Sequence, residues 1–130
     1  MLLDQSITII DSLSQGHLVN NVPVELVSIF RKSVQPYMIS WMKYDPTIEV
    51  NKLDIPVLVV QGTTDIQVAI EDAKLLGESN PKAKLVIVEG MNHIFKDVEM
   101  DKVKNIATYS NPDLPINEVF LKEIVSFILE

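Results

Sequence analysis

The sequence contains no cysteine, only four glycines and only two histidines among its 130 residues. Without cysteine the chain forms neither disulfides nor thiolate metal sites, a usage that fits a reducing compartment. The two histidines, His17 and His93, share no short zinc-ligand spacing. We therefore expect no metal site and no cofactor.

Basic residues and long apolar runs are also scarce. Eleven Lys and Arg against eighteen Asp and Glu give a formal net charge of −7, which repels nucleic-acid backbones and anionic membranes. The longest apolar run, 55–60, is far too short to span a bilayer, and no basic region precedes an apolar stretch at the start. These features predict a cytoplasmic protein with no nucleic-acid and no membrane partner.

Apolar residues make up 47% of the chain, which is enough for a packed core. Residues 1–44 contain three helical patterns, over 2–13, from Pro23 to about residue 32, and over 36–43. Their apolar residues recur every three or four positions: Leu3, Ile7 and Ile10 in the first helix, and Leu26, Ile29 and Phe30 in the second. The Asp45-Pro46 pair is expected to end this helical segment.

Residues 45–130 have a different pattern. Two short, continuously apolar runs, 57–60 and 85–88, are typical of strands that are covered on both faces. A helix is predicted between them over 68–76, and Asn117 is placed to cap a final helix. The order strand, helix, strand, helix predicts an α/β fold with parallel strands flanked by helices.

Two loops in this part carry residues suited to catalysis. Asp65 follows the first strand and His93 follows the second, each three positions after a glycine. Parallel neighbours lie about 5 Å apart, so residues just beyond their carboxyl ends come within hydrogen-bonding reach. A carboxylate bonded to one imidazole nitrogen fixes the tautomer and supports proton uptake at the other. Taken singly, the aspartate is more often a turn residue or helix cap and the histidine a solvated loop residue; together they favour catalysis.

From Asp45 to His93 the chain resembles the last third of serine α/β-hydrolases of the esterase and peptidase-like type. The resemblance lies in the stretch LDIPVLVVQGTTD ending at Asp65, the helix that follows, and the stretch KLVIVEGMNH ending at His93. It implies that residues 45–130 are the carboxy-terminal part of that fold, with Asp65 as the triad acid and His93 as the base. Residues 1–44 are similar to the variable helical cap of that family.

The chain departs from the family in lacking the nucleophile elbow, Gly-x-Ser-x-Gly between a strand and a helix. The nearest string surrounds Ser79, which follows a helix instead of a strand and is interpreted as a helix-terminus residue. Ser28 and Ser40 lie within predicted helices and are poor nucleophile candidates. The chain alone is therefore expected to be catalytically incomplete.

Two side-chain groups allow a functional and a plain interpretation. Met38, Trp41 and Met42 could line an apolar acyl pocket, although such a stripe is more often core packing. Glu89 and Asp97 could flank the site, although both are more often solvated loop residues.

Three functions remain open at this point. The first is part of a serine hydrolase acting on an ester, thioester or amide, with the serine supplied by a missing amino-terminal half. The second is a non-catalytic binding or assembly module with a vestigial site, and the third a structural fragment without ligand. Because two apolar strands leave an edge unpaired, we expect either that half or further copies as partners, the latter giving a homo-oligomer.

Overall fold

The computed structural model describes residues 1–129. The chain divides into two compact units, Met1–Asp45 and Pro46–Glu130. Among the helices of the described residues, none combines the length and the apolarity needed to cross a lipid bilayer.

The first unit is helical. It contains α1 (Leu2–Ser14), a 3₁₀ turn (Val24–Leu26), α2 (Val27–Phe30) and α3 (Gln35–Met42). The second helix predicted from Pro23 is thus a 3₁₀ turn that continues into a single α-helical turn.

The core of this unit is formed by Ile9, Leu13, Leu26 and Phe30, which are all nearly or fully buried. The apolar stripe predicted for α1 was wrong, because Leu3, Ile7 and Ile10 are exposed and the buried pair is Ile9 and Leu13. These two residues are four positions apart and so lie on the same helix face. Met38 and Met42 pack against the core, as the plainer interpretation of that cluster requires, while Trp41 is half exposed.

The second unit contains the α/β part: α4 (Pro46–Asn51), β1 (Val57–Gly62), α5 (Ile70–Ser79), β2 (Ala83–Val88), α6 (Lys102–Thr108) and α7 (Glu118–Leu129). The two strands pair in parallel, with Val57 opposite Ala83 and Gly62 opposite Val88. Asn117 caps α7, since its Oδ1 accepts from the Phe120 amide at 2.8 Å. The predicted α/β class, parallel pair and final helix cap are confirmed.

Helices α5 and α7 lie on opposite faces of the sheet. A Cβ added to Gly77 of α5 would come within 3.0 Å of the Leu85 Cβ, whereas the neighbouring Lys84 pairs with Glu123 of α7 at 2.9 Å. Successive strand residues point to opposite faces, so the two helices cover different sides. The prediction that both faces of the strands are covered is only partly correct, because most strand residues stay half-buried and Ile87 is exposed. One helix per face does not enclose a two-stranded sheet.

Two helices of this unit were not predicted. Helix α4 begins at Pro46, the residue expected to break the helical pattern. Proline is compatible with a first helical turn because its missing N–H needs no partner there. Helix α6 is capped by Asp101, whose side chain accepts from the Lys104 amide at 2.8 Å. It escaped prediction because its buried residues, Asn105 and Thr108, are polar and produce no apolar stripe.

Candidate active site

The loops that follow β1 and β2 are joined by hydrogen bonds beyond the ends of the strands. The Thr63 amide donates to the Val88 carbonyl at 3.0 Å, the Gly90 amide to Thr63 Oγ1 at 2.9 Å, and the Thr64 amide to the Met91 carbonyl at 3.1 Å. The pairing of the strands thus continues into the loops. It fixes the distance between the two segments that carry the predicted site residues.

Gly62 permits this close approach. A Cβ at position 62 would lie 1.9 Å from the Met91 carbonyl oxygen, a distance that no side chain tolerates. Any other residue would force the two loops apart. The glycine that closes β1 is therefore required by the spacing of the site.

Asp65 and His93 meet as their positions in the sequence predict. The Oδ2 atom of Asp65 lies 2.9 Å from Nδ1 of His93. The Asp65 side chain is 6% exposed and that of His93 is 39% exposed. The carboxylate is thus enclosed while the imidazole reaches solvent.

The Asp65 carboxylate accepts four hydrogen bonds. Its Oδ1 accepts from the amides of Gln67 at 2.7 Å and Val68 at 3.0 Å, and its Oδ2 accepts from Gln61 Nε2 at 3.0 Å and from His93. Burial raises the pKa of Asp65, but the hydrogen bonds from Val68, Gln67, His93 and Gln61 together outweigh it and hold the pKa below its ordinary value. Asp65 is therefore ionised at neutral pH.

An ionised Asp65 determines which imidazole nitrogen of His93 carries the proton. A carboxylate only accepts, so Nδ1 must donate and the lone pair of neutral His93 is on Nε2. Within residues 46–129 no hydrogen bond reaches Nε2. That nitrogen is available to accept a proton from an incoming group.

A buried polar network holds the histidine loop against α6. Asn92 Nδ2 donates to Thr108 Oγ1 at 2.7 Å and to Asn105 Oδ1 at 3.3 Å. Asn105 in turn donates to the Thr64 carbonyl at 2.6 Å, in the loop that carries the aspartate. All three network side chains are at most 7% exposed. Sequence reasoning missed them because they look like ordinary polar loop residues.

Phe95 forms the other side of the histidine loop. Its φ of 63° is unusual for a bulky residue, and its carbonyl accepts from the Asn117 amide at 2.8 Å. Its ring stacks on Phe120 with centroids 4.3 Å apart. Strained backbone persists where several contacts determine it, and here the contacts come from the start of α7.

A cleft of about 190 Å³ lies at the paired residues. It is formed by the end of β1 and the two loops: Val60, Gln61, Gly62, Asp65, Val68, Met91, Asn92, His93 and Phe95. This volume is below the 300–1,000 Å³ typical of pockets for drug-sized ligands. The cleft is therefore too small to enclose a ligand of that size.

The remaining candidates lie elsewhere. Ser79 ends α5 and donates to the Leu75 carbonyl, which agrees with its interpretation as a helix-terminus residue. Glu89 and Asp97 are exposed, and Asp97 accepts from Asn117 Nδ2 at 2.6 Å. Among the described residues no group of three or more His, Asp or Glu side chains is arranged to hold a metal ion.

Comparison with known proteins does not assign the site to a family. The chain matches no protein-family model, no curated protein and no solved structure. A function for this chain must therefore be argued from the geometry of the site.

Proposed function

We propose that this chain supplies the acid and the base of a serine α/β-hydrolase, with residues 45–130 as the carboxy-terminal part of that fold. The observation that supports the proposal is the 2.9 Å contact between Asp65 and His93 at the carboxyl ends of adjacent parallel strands. Acid precedes base along the chain, as in α/β-hydrolases. Residues 1–44 would then correspond to the cap.

In the proposed reaction His93 acts as the general base. Its Nε2 takes the proton of a serine hydroxyl as the serine oxygen attacks the carbonyl carbon of an ester, thioester or amide. Asp65 stays ionised and stabilises the imidazolium, which then gives its proton to the leaving group. Water repeats the sequence on the acyl-serine and releases the acid.

The serine of this reaction comes from outside residues 46–129. The serines of that part are Ser79, Ser110 and Ser126, of which Ser79 and Ser126 are helical and Ser110 bonds to the Ala107 carbonyl. None occupies a turn between a strand and a helix. We therefore propose that an amino-terminal half, or another copy of the chain, completes the site.

The acid and base can be tested without a serine. With para-nitrophenyl acetate, Nε2 attacks the acetyl carbon, nitrophenolate leaves, and water hydrolyses the acetyl-imidazole. We expect His93→Ala to lower this rate by roughly tenfold, less than the 10²–10⁴-fold usual for a complete acid–base site. Asp65→Asn should also lower the rate of para-nitrophenyl acetate cleavage.

His17→Ala is the matched control, since it removes the other histidine and should leave the rate unchanged. A rate equal in the His93→Ala and His17→Ala variants would contradict a basic Nε2 at His93. A fluorophosphonate probe should not label the purified chain, because it requires an activated serine. Stoichiometric labelling of one residue would disprove the proposal that the chain lacks its own nucleophilic serine.

The alternative is a non-catalytic assembly module that retains the two loops. It is favoured by α7, on which Val119, Val125, Ile128 and Leu129 are all more than half exposed. Each strand of the sheet also has one edge that no other described strand pairs. Light scattering on the purified chain, together with the para-nitrophenyl acetate assay, distinguishes the two cases. A homo-oligomer without His93-dependent ester cleavage supports the module. A monomer with such cleavage supports the hydrolase part.

A further inference from the structure

Gln61 is a buried polar residue to which the predicted chemistry assigns no role. It is the penultimate residue of β1 and is 7% exposed. A buried amide is costly unless its polar atoms are paired. The hydrogen-bond partners of this side chain lie at the end of β1 and in the loop that carries Asp65.

The orientation of the Gln61 amide is determined by two backbone carbonyls. Its Nε2 lies 3.1 Å from the Val68 carbonyl oxygen and 3.4 Å from that of Gly62. Carbonyl oxygens only accept, so the NH₂ group must face them. The same NH₂ group lies 3.0 Å from Asp65 Oδ2. Gln61 therefore donates to Asp65, and the reverse arrangement would set its carbonyl oxygen against Val68.

These contacts fix both ends of the Asp65 loop. Gln61 connects the carboxylate to the Val68 carbonyl, while the Val68 amide donates to the other carboxylate oxygen at 3.0 Å. The carboxylate is thus held between the end of β1 and the turn that follows. Its Oδ2 accepts from Gln61 Nε2 as well as from His93 Nδ1.

We propose that Gln61 is a positioning residue, which orients the Asp65 carboxylate so that His93 is held in the tautomer with its proton on Nδ1. The catalytic meaning of this inference rests on the proposed function. Without the Gln61 donor, Asp65 Oδ2 keeps only the His93 contact among the described residues, and the carboxylate can turn about Oδ1, which the Gln67 and Val68 amides still hold. His93 is then no longer restricted to the tautomer that leaves Nε2 as the base.

The two tautomers are distinguished by the ¹⁵N chemical shifts of the imidazole ring, measured in alkaline buffer. His17, the only other histidine, is an internal reference in the same sample. In the unmodified chain we expect His93 to carry its proton on Nδ1 in the large majority of molecules. In Gln61→Met, which keeps the length of the side chain without a donor, we expect this tautomer to fall to a minority.

The matched control is Gln67→Met. Gln67 lies in the same loop and donates to Asp65 through its backbone amide, while its side chain is bonded to Tyr109. The substitution leaves that amide in place, so His93 should keep the Nδ1 proton. If Gln61→Met does not fold, Gln61→Glu is used, since its carboxyl group has at most one proton and cannot donate to both Asp65 and Val68.

A second readout is the carboxyl titration of Asp65, followed by ¹³C shifts. The hydrogen bond from Gln61 lowers the pKa of Asp65, so its removal should move the titration to higher pH, with no change in Gln67→Met. An unchanged His93 tautomer in Gln61→Met, or an equal change in Gln67→Met, would overturn the role of Gln61. An unmodified chain with the proton on Nε2 would instead overturn the acid–base pair, and with it the proposed function.

Discussion

In residues 1–45 the buried side chains are mainly apolar, whereas in residues 46–129 most of them are amides and hydroxyls. The first unit encloses Ile9, Leu13, Leu26 and Phe30, with Gln35 as its one fully buried polar side chain. Within residues 46–129 the second unit buries seven polar side chains: Gln61, Thr64, Asn80, Asn92, Asn105, Thr108 and Asn117. Hydrophobic burial stabilises without direction, while a hydrogen bond also fixes geometry.

In the second unit the buried polar side chains hold loops at the two ends of the sheet. Asn92, Asn105 and Thr108 hold the site loops at one end of the sheet. At the other end Asn80 donates to the carbonyls of Val50 at 2.7 Å and Leu53 at 3.1 Å. The second unit uses buried amides where loops must be held in one conformation. The first unit holds no such loops apart from the segment that Gln35 bonds at Val19.

The largest expected effect is in the apolar unit. Leu13 is fully buried, and Leu13→Ala should lower the free energy of unfolding by about 2–5 kcal/mol because it leaves a cavity. Hydrogen exchange of the α1 amides during denaturant titration measures it. Leu18→Ala is the control, since Leu18 is 60% exposed, and should change stability by less than about 0.5 kcal/mol. Equal losses in both variants would contradict an apolar core at Leu13.

The next largest loss of stability is expected when the polar network around Asn92 is broken. Asn92→Ala removes the acceptor of the Ile94 and Lys96 amides and the donor to Thr108, so we expect a loss of about 1–3 kcal/mol from unpaired buried groups. Asn51→Ala, at an exposed position, should be close to neutral. Faster hydrogen exchange at residues 90–98 in the first variant alone would assign the loss to the loop. Unchanged exchange there would mean that the network does not hold it.

Acid should weaken the second unit through Asp65. Its pKa is lower in the folded chain than in the unfolded one, so its contribution is complete above its ordinary pKa and is lost as pH falls through the lowered value. Denaturant titrations between about pH 6 and pH 2 measure this loss. In Asp65→Asn that part of the pH dependence should vanish, whereas Asp113→Asn, in an exposed turn, should keep it. Identical curves for the unmodified chain and Asp65→Asn would contradict the lowered pKa.

The smallest effect concerns a partly exposed ion pair. Lys84 and Glu123 connect β2 to α7 at 2.9 Å with side chains 44% and 28% exposed. Glu123→Gln should cost about 0.2–1 kcal/mol, because water and salt screen such pairs. The difference should shrink further in about 1 M NaCl, where screening acts over about 3 Å. A loss as large as that of Asn92→Ala would mean that charge pairing, and not the amide network, dominates in this unit.

Sequence patterns were sufficient for the strands, their parallel order, and the encounter of Asp65 with His93. The two apolar runs were short and continuous, and residues that follow parallel strands are brought together by the strand spacing itself. The inward face of α1 was mispredicted because Leu3, Ile7, Ile9, Ile10 and Leu13 offer two overlapping apolar stripes. Only packing selects between them.

By itself the sequence determined where the strands lie and which two ionisable side chains follow them, because apolar runs and turn residues act over short distances. The tertiary structure alone decided that Asn105 of α6 bonds to the Thr64 carbonyl, 41 residues away, and that the amide of Gln61 turns toward Asp65. The physical reason is that a polar side chain has the same appearance in a sequence whether it faces solvent or is buried. Only the folded chain brings together the donors and acceptors that make its burial stable.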